Sequence, residues 1–178
     1  MTAQPLRKAV FELFVDGKGL DFGHLEPFEF QCVTSERPKG ATIGVRFSNH
    51  CFTEAYDPAK HEGRPIHMDG NRQRAFCPVR YGLSVQLPEL VRALPEGHVF
   101  MTPETNYVRV ELGGGVEYRM FFNMRRAGKG TGHDISMYVE SAYQPDEGAL
   151  PTNRMQKVRF KVAVDKLIRN EKLRFKAR

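Results

Sequence analysis

Between Tyr118 and Gln144 the chain alternates apolar and polar residues twice, on either side of a run that holds Gly128, Lys129, Gly130 and Gly132. Met120, Phe122 and Met124 stand among Arg119, Phe121, Asn123 and Arg125, and the period of two returns at Ile135, Met137, Val139, Ser141 and Tyr143. That period belongs to a strand with one buried face. Glycines supply the positive φ values of a tight connection, so the stretch reads as a β-hairpin with Lys129 and His133 solvated in its turn. A phosphate-binding loop of the Walker type is excluded, because it needs Lys followed by Ser or Thr and here Gly130 follows Lys129.

The rest of the chain adds few helices. Leu6, Ala9, Val10, Leu13 and Phe14 share a helical face that Asp16 to Gly19 would end. Phe28, Phe30 and Cys32 alternate, as do Ile43, Val45 and Phe47, with a Pro38-containing connection between them, which predicts a first hairpin. Periodicity is then lost from Asn49 to Gln73, a long loop with His50, His61 and His67. Those histidines invite a zinc reading with Cys51 or Cys77, but no pair has the short spacing of a structural site, and no metal or cofactor is expected. Residues 79 to 87 read as extended, with Arg80, Ser84 and Gln86 on one surface. Pro88 suits the first turn of a short helix carrying Leu90, Val91 and Leu94. Tyr107 to Leu112 reads as a strand leading into the central hairpin. Val158, Phe160, Val162 and Val164 predict a last strand with Arg159 and Lys161 on its outer face, after which Asp165 would cap a final helix. The sum is an α+β fold with a largely antiparallel sheet: an N-terminal helix and hairpin, a long loop and a four-stranded meander. One domain is expected over residues 1–164, with a basic tail or helix at 165–178.

Charge is uneven. The net +6 divides into +8 for residues 151–178, where ten Lys and Arg face Asp165 and Glu171, and −2 for the preceding 150 residues. A basic element of this kind points to an anionic partner, RNA in particular. Three widely spaced cysteines without a CxxC pair suit a reducing compartment, and no stretch approaches membrane-spanning length, so a soluble cytoplasmic protein is expected.

Metal-independent RNA cleavage needs a base for the 2′-hydroxyl, an acid for the leaving 5′-oxygen and cations around the phosphorus. His67 or His133 would move protons, Arg80 and Arg125 would hold the phosphate, Tyr143 would donate a proton and Ser141 would orient the scissile group. Arg126, Lys129, Arg159, Lys161 and Arg174 would contact the nucleic-acid backbone. The order of the second half, a short helix from Pro88 and then four strands with Arg125-Arg126 ending one and Ser141-Ala142-Tyr143 ending the next, resembles the small endoribonuclease toxins related to barnase, colicin nucleases and RelE. The resemblance covers about half the chain and implies a toxin-like endoribonuclease; the first hairpin and long loop have no place in that layout. The Arg74 to Pro88 stretch is similar to a segment of uncharacterised proteins of bacterial mobile elements. The competing expectation is a non-catalytic module that binds nucleic acid, with Phe121 and Tyr138 as stacking faces, or one that inhibits a protein partner.

Overall fold

The computed structural model describes residues 11–15, 17–64, 66–101, 106–112, 116–144 and 156–171, with backbone alone at 66–67, 101, 106–112, 116 and 156. In chain order the strands are β1 (Phe14–Val15), β2 (Lys18–Gly19), β3 (Phe28–Cys32), β4 (Ala41–Phe47), β5 (Thr53–Ala55), β6 (Ile66–Asp69) and β7 (Arg72–Phe76). After helices α1 (Pro78–Ser84) and α2 (Leu87–Ala93) come β8 (His98–Met101), β9 (Asn106–Leu112), β10 (Val116–Arg126), β11 (Ile135–Tyr143), β12 (Gln156–Arg159) and helix α3 (Phe160–Ile168). The fold is α+β with mostly antiparallel sheets.

The main sheet has seven strands in the order β12-β8-β9-β10-β11-β4-β3. All its neighbours are antiparallel except β11 and β4, which run parallel. Its inner face carries Ala41, Ile43, Val45 and Phe47 from β4, Tyr118, Met120, Phe122 and Met124 from β10, and Ile135, Met137 and Val139 from β11, all buried. Helix α3 covers this face: the Phe160 ring lies 6.5 Å from both Phe30 and Phe122. Truncating a ring such as Phe122 to alanine in a core of this kind costs about 3–5 kcal/mol. Both predicted hairpins form, and so does the helix that begins around Pro88, which stands in the first turn of α2.

Four expectations are corrected. Residues 78–84 are helical, with Pro78 in the first turn after Cys77. The buried positions that follow, Ser84, Leu87, Val91 and Leu94, are spaced by three and four, while Val79 and Val85 face solvent. The alternation at 158–164 likewise gives way to helix at Phe160. Phe160, Ala163 and Val164 are buried and Val162 is exposed, and Asp165 lies within that helix instead of starting it.

The Asn49–Gln73 segment, expected as a loop, carries regular structure of its own. A 3-10 turn at Asn49–Cys51 precedes β5, and β5, β7 and β6 form a small antiparallel sheet. Its intervening loop is pinned by buried His61, whose Nδ1 accepts from the Asp57 N–H at 2.8 Å while Nε2 donates to Glu54 at 3.0 Å. Burial works to raise the Glu54 carboxyl, and hydrogen bonds from His61 and Lys60 outweigh it, so the group stays below the usual carboxylate range. Near the N-terminus, Phe14–Val15 pair with Lys18–Gly19 as a tight ribbon through Gly17 at φ 74°, so the expected helix does not extend to residue 15; residues 1–10 lie outside the described residues.

Candidate functional site

The outer face of the main sheet holds a cleft of about 520 Å³, lined by Arg46, Asn123, Arg125, His133, Ser136, Tyr138 and Glu140 among others. Strand register explains why these residues meet. Arg125 pairs with Ser136, Ser136 with Gly44, and Gly44 with Glu29, so one row crosses β10, β11, β4 and β3. A second row crosses Asn123, Tyr138 and Arg46. Neighbours in a row are about 4.8 Å apart, and the rows are separated by two residues, on the order of 7 Å.

The gap at Gly44 is occupied by an imidazole. A Cβ built on Gly44 would meet His133 ring atoms at 2.8 Å, so the ring lies directly on the β4 backbone. The hairpin turn delivers it there. Gly130 and Gly132 take φ values of 85° and 83°. Asp134 then clamps the turn to β4: its N–H donates to Thr42 O at 2.8 Å and its Oδ2 accepts from the Thr42 N–H at 2.9 Å. His133 is accordingly buried, its side chain only 5% exposed, and is not a solvated turn residue.

His133 Nε2 and Ser136 Oγ share a 2.9 Å hydrogen bond. On the other edge Nδ1 lies 3.4 Å from Glu29 Oε1, near enough for an ion pair but out of line for a hydrogen bond, which leaves Nδ1 as a buried polar atom without a hydrogen-bond partner among the described residues. With its proton on Nδ1, facing the carboxylate, the imidazole would present Nε2 as an acceptor to the Ser136 hydroxyl. In the second row, Asn123 Nδ2 donates to Glu140 Oε1 at 2.6 Å. Tyr138 is 46% exposed between Asn123 and Arg46.

Of the residues singled out from sequence, Arg125 and His133 share this cleft, with Tyr138 between their strand ends and Arg46. Arg80 and Tyr143 meet elsewhere. The Arg80 guanidinium lies 5.0 Å from the Tyr143 ring centre and donates to the backbone oxygens of His50 and Thr53, and Tyr143 stacks on Phe121 at 5.4 Å. Neither lines the cleft. Ser141 pairs with Phe121 just past a register shift and is also absent from the lining. That shift is a bulge: Phe122 pairs with Val139 while Phe121 pairs with Ser141, so Glu140 is the extra residue, and Ala142 rather than Ser141 or Tyr143 turns inward. His67 sits in β6, paired with Arg74 in the small sheet.

Among the residues expected to contact nucleic acid, Lys129 is exposed in the turn that borders the cleft. Arg126 pairs with buried Ile135 and so falls in the phase opposite to Arg125. Arg159 lies on β12, at the far edge of the sheet from the cleft strands, and Lys161 on α3 pairs with Glu96 at 2.9 Å. Arg174 lies outside the described residues. Among the described residues no three His, Cys, Asp or Glu side chains converge as metal ligands, and no helix is long and apolar enough to cross a membrane.

Glu29, Gly44, Arg46, Ser136 and Glu140 did not stand out in the sequence. One signal for them was present: a glycine inside a strand pattern marks a place where something approaches the backbone closely. Gly44 between Ile43 and Val45 is such a glycine.

Residues 11–168 match the model of the YjaZ family, and the chain belongs to that family. No curated protein and no solved structure matches it.

Proposed function

We propose that this YjaZ-family chain is a metal-independent endoribonuclease that works in the outer-face cleft. The observation that carries the reading is the single cross-strand row Arg125–Ser136–Gly44–Glu29 with the His133 imidazole lying in the Gly44 gap. A phosphodiester held over Ser136 has the Arg125 guanidinium on one side and His133 Nε2 on the other, with Arg46 one row away. His133 takes the 2′-hydroxyl proton as the 2′-oxygen bonds to phosphorus. Glu29 stabilises the imidazolium, which returns the proton to the 5′-oxygen, directly or through the Ser136 hydroxyl, as the P–O5′ bond breaks. The products are a 2′,3′-cyclic phosphate and a 5′-hydroxyl. Arginine suits the pentavalent phosphorus because its planar fork stays charged and matches two phosphate oxygens. Free, buried Cys32, Cys51 and Cys77 support the cytoplasm as the place of action.

In a cleavage assay on mixed-sequence RNA, His133→Ala is expected to lose about 10²–10⁴-fold in rate, the usual contribution of a positioned proton-transfer group. Arg125→Ala is expected to lose rate with its fold intact by circular dichroism. A wild-type protein inert on varied single-stranded RNAs overturns the proposal.

A second reading draws on the order Ser136, His133, Glu29, which also suits a nucleophilic serine. Against it, β11 is paired on both sides, so the backbone N–H groups around Ser136 belong to the ladders and are not available as an oxyanion hole. Covalent labelling of Ser136 by a fluorophosphonate would favour this second reading.

A further inference from the structure

The second row of the cleft has no part in moving protons, and its chemistry is that of a nucleobase site. Tyr138 offers a half-exposed ring in the middle of the sheet face, flanked in register by Asn123 and Arg46. It stands two residues along β11 from the reacting row, on the order of 7 Å, which is within reach of the base when its phosphate lies over Ser136. Aromatic faces of this kind accept any base by stacking. Asn123 adds an edge. Its amide is not free to flip, because Nδ2 must face the Glu140 carboxylate that accepts from it at 2.6 Å. The amide therefore presents Oδ1 and the remaining N–H in a fixed order, with a carboxylate beyond the nitrogen.

We propose that this subsite selects adenine; the proposal rests on the reading of the cleft as an RNA-cleaving site and names the base it takes. An asparagine amide pairs bidentately with adenine, Oδ1 accepting from the exocyclic amino group and the N–H donating to the neighbouring ring nitrogen. Beyond that ring nitrogen adenine carries a C–H, which tolerates the Glu140 carboxylate. Cytosine in the same pose places its O2 there, and guanine, paired through N1–H and O6, places N7 there. Both set lone pairs against a carboxylate, a repulsive element of the kind that sharpens specificity. Uracil, through N3–H and O4, meets a C–H and is the nearest competitor, with less ring area on Tyr138. Glu140 occupies its position because the β11 bulge inserts it next to Asn123, so the bulge is what supplies the discriminating group.

The test pairs binding with cleavage. Fluorescein-labelled 2′-O-methyl tetranucleotides that differ in one base, which lack the attacking hydroxyl, are titrated with the full chain by fluorescence polarisation. The matching RNAs are assayed for cleavage. Adenine is expected to be favoured over guanine and cytosine by about tenfold or more in both assays. The ratio should fall to within about twofold in Asn123→Ala, and guanine and cytosine should gain relative to adenine in Glu140→Gln, where the repelling charge is gone. Tyr138→Ala should weaken all bases together while Tyr138→Phe retains them. Cleavage without base preference, or a preference untouched by both the Asn123 and Glu140 substitutions, overturns the subsite and leaves the nuclease standing. Adenine-selective binding that follows these substitutions without any cleavage supports the subsite and removes the nuclease.

Discussion

At the scale of single residues the site depends on what Gly44 lacks. Its φ lies outside the left-handed region, so alanine fits the backbone, and the conflict is with the His133 ring alone. Gly44→Ala is expected to push the imidazole off β4, slowing cleavage by up to the roughly 10²–10⁴-fold expected for His133→Ala while lowering stability by about 1–3 kcal/mol, the usual range for overpacking. Thermal unfolding measured beside activity separates the two effects. Tyr118 presents the opposite case. It is fully buried, its hydroxyl has no hydrogen-bond partner among the described residues, and burial pushes the phenol well above its ordinary range. Removing an orphaned hydroxyl relieves a desolvation penalty, so Tyr118→Phe should raise stability by about 1 kcal/mol in urea unfolding. Both residues show what sequence reading reaches at this scale. Tyr118 and Gly44 each occupy a legible strand position, but whether a hydroxyl finds a partner, or a ring fills a gap, depends on chain brought in from elsewhere.

At the scale of elements, the strands that pair with their sequence neighbours were legible, because local alternation and turn residues both specify them: β3 with β4, and β10 with β11 through the glycine turn. The parallel pairing of β11 with β4 was not, since nothing local records a contact between strands so distant in the chain. Yet that pairing brings Gly44 and Arg46 into the cleft. Alternation also misled in two places. Val79 to Leu87 and Val158 to Val164 contain apolar residues at every second position, but their buried members keep helical spacing, and Pro78 starts one helix as Phe160 starts the other. The bulge at Glu140 is silent in the sequence for a similar reason, because Ser141 and Tyr143 continue the period that it breaks.

Helix α3 is tied to the first hairpin by Asp165, which accepts from Ser35 Oγ at 2.6 Å and from the Glu36 N–H at 3.1 Å. Burial works to raise its carboxyl, and these hydrogen bonds with those of Thr34 and Ser35 outweigh it, leaving it below its ordinary 3.8. A depressed native value means that the unfolded chain takes up the proton first as pH falls. The contribution is thus complete above the ordinary value and lost as pH drops through the native one. Asp165→Ala should cost about 1.5–3 kcal/mol at pH 7, and the gap from wild type should shrink below pH 4 in chemical unfolding.

For the whole molecule, the seven-stranded sheet separates two tasks. Its inner face, under α3, holds the apolar residues that make the fold, and its outer face holds the charged and polar ones that make the cleft. The overall basic charge was legible from composition, and the α+β class from the periodicity and order of the elements. The placement of that charge was not: Arg159 and Lys161 belong to the far edge and the inner layer, and the cations of the cleft, Arg46 and Arg125, come from the nearly neutral body. The proposed nuclease depends on His133 activating a ribose 2′-hydroxyl over the Arg125–Ser136 row. The most direct measurement is mass spectrometry of the products from an RNA oligonucleotide, beside the same oligonucleotide with a single 2′-deoxy sugar at the cleaved position. The expected result is 2′,3′-cyclic phosphate and 5′-hydroxyl ends from the first, an intact second strand, and the same products formed about 10²–10⁴-fold more slowly with His133→Ala. Cleavage of the deoxy-substituted strand, or cleavage at the wild-type rate without His133, would contradict that mechanism.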